Sequence, residues 1–143
     1  MGNMLKIEHI GIAVKQLSNS IPLFEKLLNV PCYKTEVVES EQVNTAFFKL
    51  GDSKIELLES NAPAGVINKF IEKRGEGIHH IAFEVKDINM EIKRLVDLGF
   101  TVLNDVPKEG ADNKLVAFLH PKETNGVLIE LCMEKIPDNK NVV

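Results

Sequence analysis

The feature that most constrains this chain is that it repeats itself. The segment HIGIAVKQLSNSIPLFEKLLNV, starting at His9, lies without a gap over HIAFEVKDINMEIKRLVDLGFT, starting at His80. One constant offset carries Val14 onto Val85, Leu17 onto Ile88, Ile21 onto Ile92, Phe24 onto Leu95 and Leu27 onto Leu98, so apolar positions fall on apolar positions. The same offset sets Ala46 and Phe47 over Ala117 and Phe118. A three-residue insertion in the HPKETNG turn then shifts the register and brings KIELLE over LIELCM, with Glu56 over Glu130. A unit of about 70 residues is marginal alone. The 143 residues are therefore expected to form one body of two halves that share a core.

Within the first copy, Leu5 to Val14 alternates as a strand, and Leu17, Ile21, Phe24, Leu27 and Leu28 recur at helical spacing. Three more strands are expected near Tyr33 to Val38, Val43 to Leu50 and Lys54 to Glu59, the last two joined by a GDS turn. Each module thus reads βαβββ. The expected domain spans 5–136, with repeats at 5–60 and 77–134 joined by a linker at 61–76 that holds an amphipathic helix from Val66 to Lys73, stopped by Gly75 and Gly77. The polar tail from Pro137 is expected to fray.

Hydrophobic residues make up 44% and charged residues 27%, the balance of a soluble globular chain. A net charge of -4 gives no general attraction to phosphate backbones or anionic lipid, so neither nucleic acid nor membrane is an expected partner. Cys32 and Cys132 sit in no CxxC pattern, which predicts free thiols and a reducing, cytoplasmic setting. No export signal or long apolar run is apparent at the N-terminus.

Strand alternation puts His9, Gly11 and Ala13 on one face and Ile10, Ile12 and Val14 on the other. In the second copy it puts His80, Ala82 and Glu84 opposite Ile81, Phe83 and Val85, with His79 facing away from His80. Glu56 and Glu130 sit where a sheet normally holds a hydrophobe. Taken singly, such a histidine is more often a satisfied structural residue, and such a glutamate more often points to solvent. All four, however, occupy equivalent repeat positions. A buried carboxylate needs a cation, either a metal ion or a facing histidine or lysine. Two imidazoles and two carboxylates suit zinc, nickel, cobalt, manganese or iron better than magnesium or calcium. Four protein ligands also leave room for substrate on an ion that accepts six.

The stretches HIGIAV, GDSKIELLE, RGEGIHHIAFEV and FLHPKETNGVLIEL resemble the methylmalonyl-CoA epimerase family of the vicinal oxygen chelate superfamily, over nearly the whole chain. The resemblance implies an α+β fold of two βαβββ modules whose mostly antiparallel sheet curls around a metal held by His9, Glu56, His80 and Glu130. The implied ion is divalent, cobalt first, with zinc, nickel or manganese as alternatives. The implied reaction is epimerisation of an acyl-CoA substrate at carbon 2 through a metal-stabilised enolate, in a homodimeric enzyme. Glu130 is the first acid/base candidate. The sequence departs from the bacterial family pattern at Thr45, where a glutamate is usual, and at Glu56, where glutamine is usual. Glu56 is therefore expected to supply the second acid/base, with Glu41 as the alternative. His120, Lys122, Lys108 and Lys114 are read as loop residues that either grip a CoA phosphate or lie solvated.

Two rival readings follow from the same residues. One is a glyoxalase I that isomerises a methylglyoxal-thiol hemithioacetal, a lyase. The other is a non-catalytic small-molecule-binding module of the same fold.

Overall fold

The computed structural model describes Gly2–Lys135. The expected fraying from Pro137 lies outside the described residues. Strand β1 (Met4–Ala13) leads through helix α1 (Leu17–Leu28) to β2 (Lys34–Val38), β3 (Val43–Leu50) and β4 (Ser53–Ser60). Helix α2 (Val66–Arg74) links to β5 (Gly77–Val85), α3 (Ile88–Asp97), a two-residue β6 (Lys108–Glu109), β7 (Lys114–Leu119) and β8 (Ile129–Glu134). The βαβββ order expected from the repeat is present twice, with the second strand of the second copy cut to a stub.

One curled eight-stranded sheet results, in the order β2-β3-β4-β1-β5-β8-β7-β6. Only the β1/β4 and β5/β8 pairs are parallel; the other neighbours run antiparallel. The halves meet along β1 and β5, where His9 pairs with Ala82, Ile10 with Ile81 and Gly11 with His80. Repeat equivalents exchange places across this seam: His80 matches His9 and Ala82 matches Gly11. A pseudo-two-fold axis therefore passes through the Ile10/Ile81 pair.

Alternation divides the sheet into two faces. Side chains of Val14, Ala46, Phe48 and Leu57 pack under Leu17, Ile21, Phe24 and Leu28 of α1. Their counterparts Val85, Ala117, Leu119 and Leu131 pack under Ile88, Ile92 and Leu95 of α3. Leu57 and Leu131, fully buried at equivalent positions, each contribute about 1.5–3 kcal/mol of burial. With both helices on the convex face, the concave face is left for the alternate residues. Helix α2 closes one end of it, seating Ile67, Phe70 and Ile71 against Ala13, Val43 and Leu58.

The two sheet-covering helices begin differently. Asp87 caps α3 by accepting from the Met90 amide at 3.1 Å. Its equivalent Gln16 makes no side-chain cap, and the Leu17 amide instead donates to Glu59 at 2.8 Å. Both devices satisfy amides that the first helical turn leaves unpaired.

Candidate metal centre and active site

Sheet register assembles the site in two rows. Glu56 lies beside Gly11, which lies beside His80. Glu130 lies beside Ala82, which lies beside His9. In each row a small residue separates acid from imidazole, so both side chains can lean over it. The space is critical at Gly11, where a Cβ would stand 2.2 Å from Cε1 of the His80 ring and 2.5 Å from its Nδ1. Any residue but glycine would collide with that ring.

All four side chains are buried and converge. His9 Nε2 lies 3.0 Å from His80 Nε2, 2.9 Å from Glu56 Oε2 and 3.2 Å from Glu130 Oε2. Donor atoms of His9, Glu56 and His80 all fall within 4.8 Å of one another. Glu130 stands outside this trio, its Oε1 4.0 Å from His80 Nε2. An ion bonded to nitrogen and oxygen at about 2.0–2.2 Å holds neighbouring donors about 3 Å apart, which is the spacing seen around His9. Oε2 of Glu130 is moreover buried with no hydrogen bond of good geometry, facing His9 Nε2 at 3.2 Å, a position that a closer cation would satisfy better. The donor set therefore fits a divalent ion.

Electrostatics separate the two histidines. Burial opposes charge on the His9 ring, but the carboxylates of Glu130, Glu56 and Glu8 outweigh it and raise the pKa far above the imidazole range. Burial pushes His80 down to about 3, with His9 and His79 adding to the effect and Glu56 opposing it. One ring of the metal-free pair thus carries the proton and the other presents a lone pair.

Glu8 and Lys54, beside the candidate donors, were not identified as site residues from the sequence. Glu8 stands at a register shift between Ile7 and His9, which turns its buried side chain to the same face as His9, where it meets Nδ1 of that ring. Burial works against the ionised Glu8, but hydrogen bonds from His9 and Lys54 pull its carboxyl down to about 2. Lys54 bridges Glu8 at 2.7 Å and Asp112 at 2.5 Å, and Lys34 reaches the other Asp112 oxygen at 2.9 Å. The Asp112 amide donates to Glu36 at 2.8 Å.

His79 requires a correction. Strict alternation turns it away from His80, but β5 slips by one residue between its pairings of His80 with Gly11 and Ile78 with Ile12. This bulge re-aims the side chain. His79 Nδ1 lies 2.9 Å from His80 Nδ1, and the ring stands edge-on to Phe70. The ring is hydrogen-bonded within the protein, with His80 as the partner.

The cleft over these residues holds a cavity of about 90 Å³. Phe47, Leu58 and Phe118 supply apolar wall, and Glu41 overhangs it while paired to Lys108 from the other half. Thr45 is buried, and its hydroxyl donates to the Glu36 carbonyl at 2.9 Å, so it offers no free base. Of the four residues assigned to second-copy loops, Lys114 lies within β7, buried in the cleft wall, and Lys108 lies in β6. His120 accepts from the Lys122 amide at 3.0 Å and so serves the turn. Both cysteines are free, and burial pushes the Cys132 thiol up to about 12.

The family model of the glyoxalase/bleomycin resistance protein/dioxygenase superfamily matches residues 8–118. The mitochondrial methylmalonyl-CoA epimerase of Dictyostelium discoideum is 37% identical over 88% of the chain and 76% of that protein. The chain belongs to the methylmalonyl-CoA epimerase family of this superfamily. The Bacillus subtilis protein YqjC, described as uncharacterised, is 39% identical over 92% of the chain and 94% of its own length. A methylmalonyl-CoA epimerase solved in complex with methylmalonyl-CoA and ammonium superposes with a TM-score of 0.89 at 34% identity, covering 92% of this chain and 95% of that one. Among the described residues, no helix is long and apolar enough to cross a membrane.

Proposed function

We propose that the protein is a metal-dependent methylmalonyl-CoA epimerase in which His9, Glu56, His80 and Glu130 hold the ion and the two glutamates also exchange the proton on carbon 2. The observation that carries this reading is the approach of Glu56 from β4 and Glu130 from β8 to the same histidine nitrogen, at 2.9 and 3.2 Å. A bound divalent ion supplies Lewis-acid stabilisation of the negative charge that develops on the thioester and carboxylate oxygens, worth several kcal/mol.

Inverting a carbon by proton exchange needs a base on one face and an acid on the other. One carboxyl therefore enters ionised and the other protonated, and they swap roles in the reverse direction. Glu56 and Glu130 come from opposite halves of the sheet and so meet this requirement. Thr45, committed to the Glu36 carbonyl, does not. Glu41 is held by Lys108, which favours Glu56 as the second group. Phe47 and Phe118 line the cleft with apolar surface beside the two glutamates.

The whole repeat pair is the functional unit of this proposal, since each half carries one histidine and one glutamate of the set. Cobalt is the first candidate ion, with zinc, nickel and manganese next; the resemblance adds a homodimer, and the free cysteines favour the cytoplasm. The glyoxalase I reading is not favoured, because the named relatives are epimerases. The test is incubation with methylmalonyl-CoA in deuterated water. Protein reconstituted with Co²⁺ is expected to place deuterium at carbon 2, and metal-depleted protein to fall to background. Turnover of the hemithioacetal without exchange into methylmalonyl-CoA would overturn the reading.

A further inference from the structure

We propose that Glu8 and His79 are paired positioning residues, each fixing the tautomer and ring orientation of the histidine that follows it so that Nε2 faces the shared centre. The inference rests on His9 and His80 being metal ligands. It begins from the repeat: the offset that carries His9 onto His80 also carries Glu8 onto His79. In each copy the residue before the histidine would ordinarily point to the opposite face of the strand. In each copy a break in the β1/β5 register falls at that residue, between Ile7 and His9 on one strand and at His79 on the other. Two bulges at equivalent positions bring two side chains onto the concave face, and both end against Nδ1 of the neighbouring ring.

Counting protons gives the consequence. An ionised carboxylate only accepts, so Glu8 binds the Nδ1–H form of His9 and frees Nε2 to act as a donor atom. The Nδ1–Nδ1 contact of His79 with His80 holds a single proton, because one nitrogen must donate and the other accept. With His80 Nε2 turned to the centre, the proton sits on His80 Nδ1, and His79 accepts it and carries its own on Nε2. Outer partners of this kind orient metal-binding histidines and raise their basicity. Here they differ in charge. His9 is backed by an anion that Lys54 also holds, at 2.7 Å, and His80 by a neutral ring held edge-on by Phe70. His9 is therefore the stronger donor of the two and Glu8 the more consequential support.

Co²⁺ titration followed by visible absorption, together with long-range ¹H–¹⁵N spectra of the histidine rings, tests this directly. Glu8→Ala is expected to weaken Co²⁺ binding about 10- to 100-fold, and His79→Leu to weaken it less. His79→Asn, which keeps an acceptor, is expected to recover part of that loss. In the spectra, His80 of the metal-free protein is expected as the Nδ1–H tautomer and to lose that preference in His79→Leu. Glu8→Gln keeps the acceptor and shape, and separates loss of the charge from failure to fold. Wild-type affinity in both Glu8→Ala and His79→Leu, or an Nε2–H tautomer for His80 in the metal-free wild type, would overturn the inference. Absence of Co²⁺ binding by the wild type would instead overturn the metal-site reading, and the metal-free tautomers would still decide the positioning roles.

Discussion

The two halves place their donors alike and support them differently. Glu56 beside Gly11 beside His80 mirrors Glu130 beside Ala82 beside His9 across the Ile10/Ile81 axis. Around that symmetric core, the first half backs its histidine with a buried carboxylate and the second with an imidazole. The first half has a five-residue β2, the second a two-residue β6. The difference teaches that symmetry fixes where the donor atoms lie, and asymmetry in the neighbouring residues sets what each does. An epimerase must treat both faces of one carbon in turn, which asks for matched carboxylates. Nothing in that requirement asks for matched histidines.

Three substitution sets press on this comparison. The largest effect is expected at the carboxylates: Glu130→Gln and Glu56→Gln should each lower kcat for deuterium exchange by about 10²–10⁴-fold. Full activity in metal-loaded Glu56→Gln would remove that residue from the acid/base pair and break the match between halves. Next comes the spacer. Gly11→Ala puts a methyl 2.2 Å from the His80 ring and, by displacing that ring, should cost about 10²-fold in kcat/KM, whereas Ala82→Gly should cost far less. Equal losses would show that the closeness at Gly11 is of no special consequence.

The smallest effect is a pH dependence confined to the first half. The carboxyl of Glu8 lies at about 2 in the folded protein against 4.5 as its ordinary value. A depressed pKa stabilises the fold above the unfolded value and ceases to do so as pH falls through the folded one. Glu8 should therefore contribute its full stabilisation above about pH 4.5 and lose it progressively toward pH 2. Urea unfolding of metal-free wild type and Glu8→Gln should converge across that interval. A constant gap between them down to pH 2 would contradict the role assigned to the ionised carboxylate.

Much of this arrangement was legible in the sequence, because a repeat with matched alternation names equivalent residues on equivalent faces. That logic located His9, Glu56, His80 and Glu130 on a buried concave surface, along with the helices that cover the other side. It failed where alternation itself fails. The bulges at Glu8 and His79 add a residue to one strand of a pair, and a period-two reading has no place for the extra one. Lys114, read as a loop residue, lies in a strand whose pairing to β8 is set by distant residues. The Lys54 to Asp112 contact was equally invisible, since it joins positions 58 residues apart. One signal was available: glycine at the position matching Ala82 marks a close approach that a side chain would block.

The chain of charges running from Glu8 through Lys54 and Asp112 to Lys34 crosses from one half to the other. Asp112 sits at a positive φ of 58° in the second half, and Lys34 and Lys54, which hold its carboxylate, belong to the first. A fusion of two copies of the first half would reproduce each histidine and glutamate of the set and yet contain no Asp112, leaving Lys54 with Glu8 as its one counter-ion. Two copies of the second half would keep the aspartate and lose both lysines that hold it. The architecture is a duplication, but its two parts are no longer interchangeable. Each now carries half of an electrostatic circuit that only the unlike half completes.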